Sequence, residues 1–160
     1  MYLIEFIIFS SIFVAILFAL YFIDDIMKFP PGTDRMIKVS KAIQEGAKAY
    51  LNRQYKIIFF VGIFVSFFLY FLLGFFYALG FIIGAFFSAL VGYIGMYVSV
   101  YANVRTANAA RISTLDKALS IAFRSGAVTG LFVISLSLFG IFFFYFLLFF
   151  FKVDLRIILN

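Results

Sequence analysis

The chain of 160 residues contains no cysteine, no histidine, no tryptophan and only two prolines. Without cysteine there is no disulfide, no thiol nucleophile and no reading of the redox compartment. Without histidine there is no histidine-dependent catalytic triad, and the usual zinc and haem ligand sets are gone. Charge is scarce at 12% of residues, and the acidic set is Glu5, Asp24, Asp25, Asp34, Glu45, Asp116 and Asp154. Of these only Asp24 and Asp25 are adjacent. Neighbours on a helix point about 100° apart rather than converging; the pair could contribute to a magnesium–phosphate site, but solvation at the interface, at the end of a span, is the favoured reading. There is no glycine-rich loop ending in Gly-Lys-Ser/Thr. Apart from Glu5, near one end, the long apolar runs hold no ionisable group, which a proton or sodium path through them normally needs.

What the chain has is hydrocarbon. Apolar residues make up 66%, 27 residues are Phe, and the mean hydropathy is +1.17. A soluble domain is about half apolar and a quarter charged, so the solvent of this chain is largely lipid. Four runs approach or exceed the ~20 apolar residues of a spanning helix: about 6–23, 57–76, 81–102 and 126–151. The expected fold is an all-α integral membrane domain over residues 1–160 with four transmembrane helices, multi-pass, in the cell membrane if the source is prokaryotic. The second run is the shortest, Ile57 to Leu73, and its helix is expected to continue through Gly74-Phe75-Phe76. The first run has Glu5 rather than basic residues before it and no small-residue cleavage site after it, so it reads as a retained span and not a signal peptide.

Orientation follows from the basic residues. Seven lie between the first and second runs (Lys28, Arg35, Lys38, Lys41, Lys48, Arg53, Lys56) and four between the third and fourth (Arg105, Arg111, Lys117, Arg124). The second-to-third connection has none, and Lys152 and Arg156 complete the 13. The crowded side is cytoplasmic by the positive-inside rule, and both termini are expected outside. The net charge of +6 is therefore topological and gives no reason to invoke nucleic acid.

Three helices are expected to run on into the cytoplasm. After Pro30-Pro31-Gly32 a helix can start near Asp34. Continued to Leu73 it is about 58 Å long, roughly twice the hydrocarbon thickness. Val39, Ile43, Gly46, Ala47, Tyr50 and Gln54 share one of its faces, and Lys41, Glu45, Lys48, Asn52 and Lys56 the opposite one. Ser113-Thr114-Leu115-Asp116 fits a capping box with Ser113 as N-cap, starting the fourth helix before the membrane, with Leu115, Leu119, Ala122 and Gly126 on one face. Gly80, Gly84, Ser88 and Gly92, followed by Gly95 and Ser99, read as a packing stripe, and Gly126 and Gly130 as the same device. Arg105 and Arg124 stand where the third helix leaves the membrane and the fourth approaches it. Snorkelling is the default reading of both; pairing with a carboxylate or phosphate is the sharper one.

Three polar stretches carry more sequence information than insertion requires. They are Ala42 to Tyr55, then Gly92-Tyr93-Ile94-Gly95-Met96 running into Ala102-Asn103-Val104-Arg105-Thr106-Ala107, and Ala122 to Gly130. In order and in placement on helices two, three and four, they resemble the amino-terminal part of membrane-bound, ion-translocating inorganic pyrophosphatases. The similarity runs from about Arg35 to Gly140.

The resemblance implies a homodimer with about sixteen helices per subunit. Such a protein hydrolyses magnesium pyrophosphate at the cytoplasmic side and drives protons or sodium outward. It also implies that the hydrolytic Asp, Lys and Asn clusters belong to later, inner-ring helices. Consequently no catalytic, cofactor-binding or metal-ligating residue is assigned here. Mg2+ and pyrophosphate are expected only in the complete family member. The chain stops at Asn160, soon after the fourth span, with apolar Ile157-Ile158-Leu159 as the possible start of another helix. It is expected to be an outer-ring fragment, inactive alone, whose partners are the lipid bilayer and the remaining helices of the subunit. Arg105 and Arg124 are expected to pair with those later helices. The alternatives are a free-standing non-catalytic membrane module that binds a partner, or a small four-helix transporter relying on Glu5.

Overall fold

The computed structural model describes residues 2–151, and among them it is built of four helices. These are α1 (Tyr2–Lys28), α2 (Asp34–Leu72), α3 (Phe75–Ile112) and α4 (Leu115–Phe150). Each is long and apolar enough to cross a membrane. The chain is a multi-pass membrane protein. Ile157 to Leu159, where a further helix was expected to begin, lie outside the described residues.

The helix ends follow from local chemistry. After α1 ends at Lys28, Pro30 lacks a backbone N–H and restricts Phe29 to extended geometry. Gly32 takes φ +98°, open to glycine alone at low cost, and turns the chain. Thr33 then caps α2, its hydroxyl accepting from the Met36 N–H at 3.4 Å. At the other end α2 does not continue to Phe76 as the sequence suggested. Gly74 adopts φ +108° and donates its N–H to the carbonyls of Leu69 and Tyr70, both at 3.1 Å. This glycine closure stops the helix at Leu72, and Phe75 already begins α3.

The third boundary is shifted by one residue from the expected capping box. The Ser113 N–H donates to Ala109 O at 2.9 Å, which makes Ser113 the C-cap of α3. Thr114 becomes the N-cap of α4, accepting from Lys117 N at 3.4 Å. Asp116 remains in the first turn, where a carboxylate complements the helix dipole.

Short turns make α2 and α3, and α3 and α4, antiparallel neighbours, whereas α1 turns away from α2 and packs on α4. α4 packs against both α1 and α3, and α2 packs on α3. The core is therefore a three-helix affair: Ala19 and Ile26 of α1, Val91, Val98 and Ala102 of α3, with Ile121, Val128 and Phe132 of α4. In α2 the single buried residue is Ser40. Its apolar half is coated with exposed Phe59, Phe60, Phe64, Phe67 and Phe71, as suits a lipid-facing surface.

The glycine stripe packs in part. A Cβ on Gly80 would lie 3.0 Å from the Phe144 ring, and one on Gly140 would lie 3.0 Å from Phe87. These reciprocal phenylalanine-on-glycine contacts join α3 to α4. Gly84, Gly126 and Gly130, expected to pack likewise, have nothing within 4 Å of a Cβ position. The reason is geometric. A four-residue repeat advances about 400° on a helix of 3.6 residues per turn and so drifts ~40° per step. Gly80 faces α4, whereas three steps later Gly92 faces α2, where a Cβ would stand 2.9 Å from the Tyr55 hydroxyl.

That hydroxyl donates to Ala89 O at 2.7 Å and ties α2 to α3. Removing it in Tyr55→Phe should cost about 1 kcal/mol, and Gly92→Ala should cost a similar amount by displacing the same hydroxyl. Because both changes break one bond, the double variant should lose little more than either single one. Thermal unfolding of the four proteins in one detergent checks this.

Candidate functional site

The three polar stretches of the sequence all lie toward the basic end of the bundle, and the second, on α3, meets the other two in separate grooves. The second and third line one groove of about 580 Å³ between α3 and α4, with Asn103, Thr106 and Ala107 on one wall and Ala122, Ser125 and Gly126 on the other. The first stretch meets the second on another side of α3 and does not reach the third. Its polar face, Lys41, Glu45 and Lys48, lines a separate groove of about 320 Å³ against Tyr93, Tyr97 and Tyr101 of α3. Tyr97 and Tyr101 lie with ring centroids 4.6 Å apart. The opposite, apolar face of α2 is bare: Val39, Ile43 and Tyr50 are exposed.

Arg124 and Arg105 part company. Arg124 had been expected to find its carboxylate on later helices. It pairs instead with Asp25 of α1, through Nη1 and Oδ2. Both side chains are partly buried, at 33% and 24% exposure, so the ion pair is shielded from much of the solvent. The two residues are 99 apart in sequence, and the contact fastens α1 to α4. Arg105 reaches back along its own helix, Nη1 donating to Tyr101 O at 2.8 Å. Its Nε is buried and has no hydrogen-bond partner. A buried guanidinium nitrogen in that state is costly unless an acceptor is supplied.

Asn108 escaped the sequence reading. It is 2% exposed, and its Nδ2 donates to Pro30 O at 3.0 Å while its Oδ1 accepts from Arg111 Nη2 at 3.1 Å. Its amide oxygen also lies 2.9 Å from where a Cβ on Gly32 would be. Asn108 thus pins the α1–α2 turn to α3, and Gly32 makes room for it. The available signal was an amide set among alanines, Ala107-Asn108-Ala109-Ala110, on a helix with few other polar groups.

Among the described residues the carboxylates do not form a cation site. Asp24 is bound to Lys28, one turn on, at 2.5 Å, and Asp25 is committed to Arg124. Among the described residues, no three Asp, Glu, His or Cys side chains converge. The described residues therefore do not fit a magnesium pyrophosphate centre, which takes carboxylates together with phosphate oxygens. What the arrangement can do is mechanical: clamp α1 to α4, clamp a turn to α3, and present open polar grooves.

Known proteins agree with the pattern of stretches. The profile of the family described as Inorganic H+ pyrophosphatase matches residues 13–158. A protein of Methanosarcina mazei named K(+)-insensitive pyrophosphate-energized proton pump is 48% identical over 129 residues, covering 79% of this chain and 19% of its own length. A second such protein, from Moorella thermoacetica, is 47% identical over 128 residues with the same shares. A Bacteroides thetaiotaomicron protein with the provisional name K(+)-stimulated pyrophosphate-energized sodium pump is 44% identical over 140 residues, covering 84% of this chain. The chain spans about a fifth of the length of these relatives. With the match extending over nearly its whole length, the chain belongs to the inorganic H+ pyrophosphatase family.

Proposed function

We propose that this chain is the amino-terminal, outer-ring portion of a pyrophosphate-energised ion pump, and that it supports the reaction without carrying it. In the complete protein, hydrolysis of magnesium pyrophosphate on later helices drives protons or sodium out of the cytoplasm, within a homodimer. The observation that carries this reading is apolar surface in the wrong solvent. Leu115, Leu119 and Phe123 are spaced one turn apart on the part of α4 that precedes its membrane span, and they are 69%, 57% and 77% exposed. Val39, Ile43 and Tyr50 form a second bare stripe on the corresponding part of α2. With the span of α4 beginning near residue 126, these positions lie on the cytoplasmic side of the lipid. Burying each large side chain against protein gains about 1.5–3 kcal/mol, so further helices of the subunit are the natural cover. The buried, unpartnered Nε of Arg105 supports the same need for further acceptor groups.

The experiment is a split pump. The chain is co-expressed with a Methanosarcina mazei relative from which the matching amino-terminal segment has been removed. We expect neither piece alone to release phosphate from magnesium pyrophosphate, and the two together to co-purify and recover hydrolysis and ion uptake in membrane vesicles. Magnesium-dependent phosphate release by the purified 160-residue chain alone would sink the reading. So would failure of the pieces to associate while the chain itself is folded.

A further inference from the structure

α2 and α3 meet at two levels within the membrane and stand apart between them. One contact is the Leu73–Gly74 turn, and the other is the hydrogen bond from Tyr55 to Ala89 O. Between the two lies a slot of about 830 Å³. It exists because facing positions are small: Gly62 and Ser66 on α2, and Ala78, Ala85 and Ala89 on α3. A Cβ on Gly62 would meet nothing within 4 Å. Ile58, Phe59, Ile63 and Phe67 form much of the α2 wall, and no charged residue lines the slot anywhere. Whatever fills it is therefore apolar along its length, because a charged or polar occupant would be desolvated without a partner.

Shape and charge select the occupant. From Tyr55 to Tyr70 the slot runs about 22 Å at ~1.5 Å per residue, bracketed by tyrosines as at the two faces of a bilayer. It is closed above by the turn and below by the Tyr55 bond. A spanning helix, ~10–12 Å across with its side chains, would have to pass both closures and could only lie over the opening. A hydrocarbon chain is thin enough to round the lower closure along the open side, and it ends within one leaflet before reaching the upper one. The lower closure carries positive charge. Lys56 precedes Phe59 and Ile63 by three and seven residues, placing it one turn below the first and two below the second on the same edge of α2. Asn52 lies one further turn down, and both are exposed. Among the described residues Lys56 has no carboxylate partner.

We propose that the α2–α3 slot holds an acyl chain of an anionic phospholipid from the leaflet at the basic end, with Lys56 and Asn52 meeting its phosphate. The site is separate from the surfaces that the pump reading requires, and its test does not depend on hydrolysis. The purified chain in mild detergent is mixed with phosphatidylglycerol and phosphatidylcholine, and retained lipid is counted by native mass spectrometry. The wild type should keep phosphatidylglycerol in preference to phosphatidylcholine. Gly62→Leu, set where a Cβ meets nothing within 4 Å and aimed into the slot, should lower retention of both several-fold at unchanged helicity. Gly84→Leu adds the same bulk outside the slot and should change nothing. Lys56→Gln, an exposed change that leaves the fold alone, should keep lipid but reduce the preference about fivefold, the factor one basic side chain contributes at an anionic surface. Equal retention by wild type and Gly62→Leu would overturn the proposal. So would the absence of a headgroup preference, or lipid-free dimers that assign the slot to a second copy of the chain.

Discussion

Replacing Arg124 with Leu, or Asp25 with Asn, should destabilise the bundle by about 1–3 kcal/mol. The range comes from the cost of orphaning one member of a buried ion pair, ~3–5 kcal/mol, reduced for the access to solvent that remains. Both partners keep some exposure, at 33% and 24%, so the full buried value does not apply. The contact still matters because of where it sits. α1 reaches the bundle chiefly through α4, and its buried side chains are Ile12, Ala19 and Ile26, with Phe22 and Ile23 partly buried beside them. Losing the clamp leaves α1 held by apolar contacts alone, from Phe9 against Phe142 to Ile26. The charge-exchanged double variant Asp25→Arg with Arg124→Asp should recover part of the loss, because it restores attraction across the same gap. Thermal unfolding in detergent reads all four proteins. Single variants as stable as the wild type would mean that the pair is solvated and idle. A swap no better than the singles would mean that the loss reflects packing of the side-chain stems.

The fold was legible where one physical variable decides it. Four hydrocarbon runs and a one-sided count of Lys and Arg specify spanning helices and a basic end, and no tertiary information is needed. The start of α2 was legible too, because Pro30-Pro31-Gly32 leaves little freedom. The break at Gly74 was not, since Leu73-Gly74-Phe75 is apolar throughout and only the positive φ of Gly74 reveals the turn. The capping residue was missed by one because Ser113 and Thr114 are both competent, and the backbone of Ser113 is consumed in closing α3.

The candidate site was harder. Its residue stretches stood out as polar sequence on apolar helices, yet their partnerships join positions far apart in the chain. Arg124 with Asp25, and Asn108 with Pro30, are set by how helices pack, which no periodicity encodes. Even the glycine stripe, visible as a strict repeat, misled about its own face because it winds around α3. The family resemblance rested on those same polar stretches, and it identified the chain well without saying what any one side chain touches.

The winding of that stripe leads to a sharp prediction at Gly95. Its position is buried, and a Cβ there would lie 2.9 Å from Cγ2 and 3.1 Å from Oγ1 of Thr129 on α4. Thr129 is β-branched, hence stiff at χ1, and its hydroxyl lies 3.5 Å from Ser125 O, so it yields poorly. On either side, Val91 and Val98 of α3 pack with Val128 and Phe132 of α4 in the core. Any side chain at Gly95 therefore pushes the two helices apart at the centre of their contact. Gly95→Ala should cost on the order of 1 kcal/mol and Gly95→Leu about 3 kcal/mol, the upper part of the usual range for overpacking. Gly84 lies eleven residues earlier on the same helix, with open space around its Cβ position. Gly84→Ala should accordingly be neutral or slightly stabilising, since alanine is the better helix former. If both glycines serve only to make the helix surface small, the two alanine variants will melt together. If close approach at a single point holds α3 to α4, only the Gly95 series will fall, and it will fall with side-chain volume.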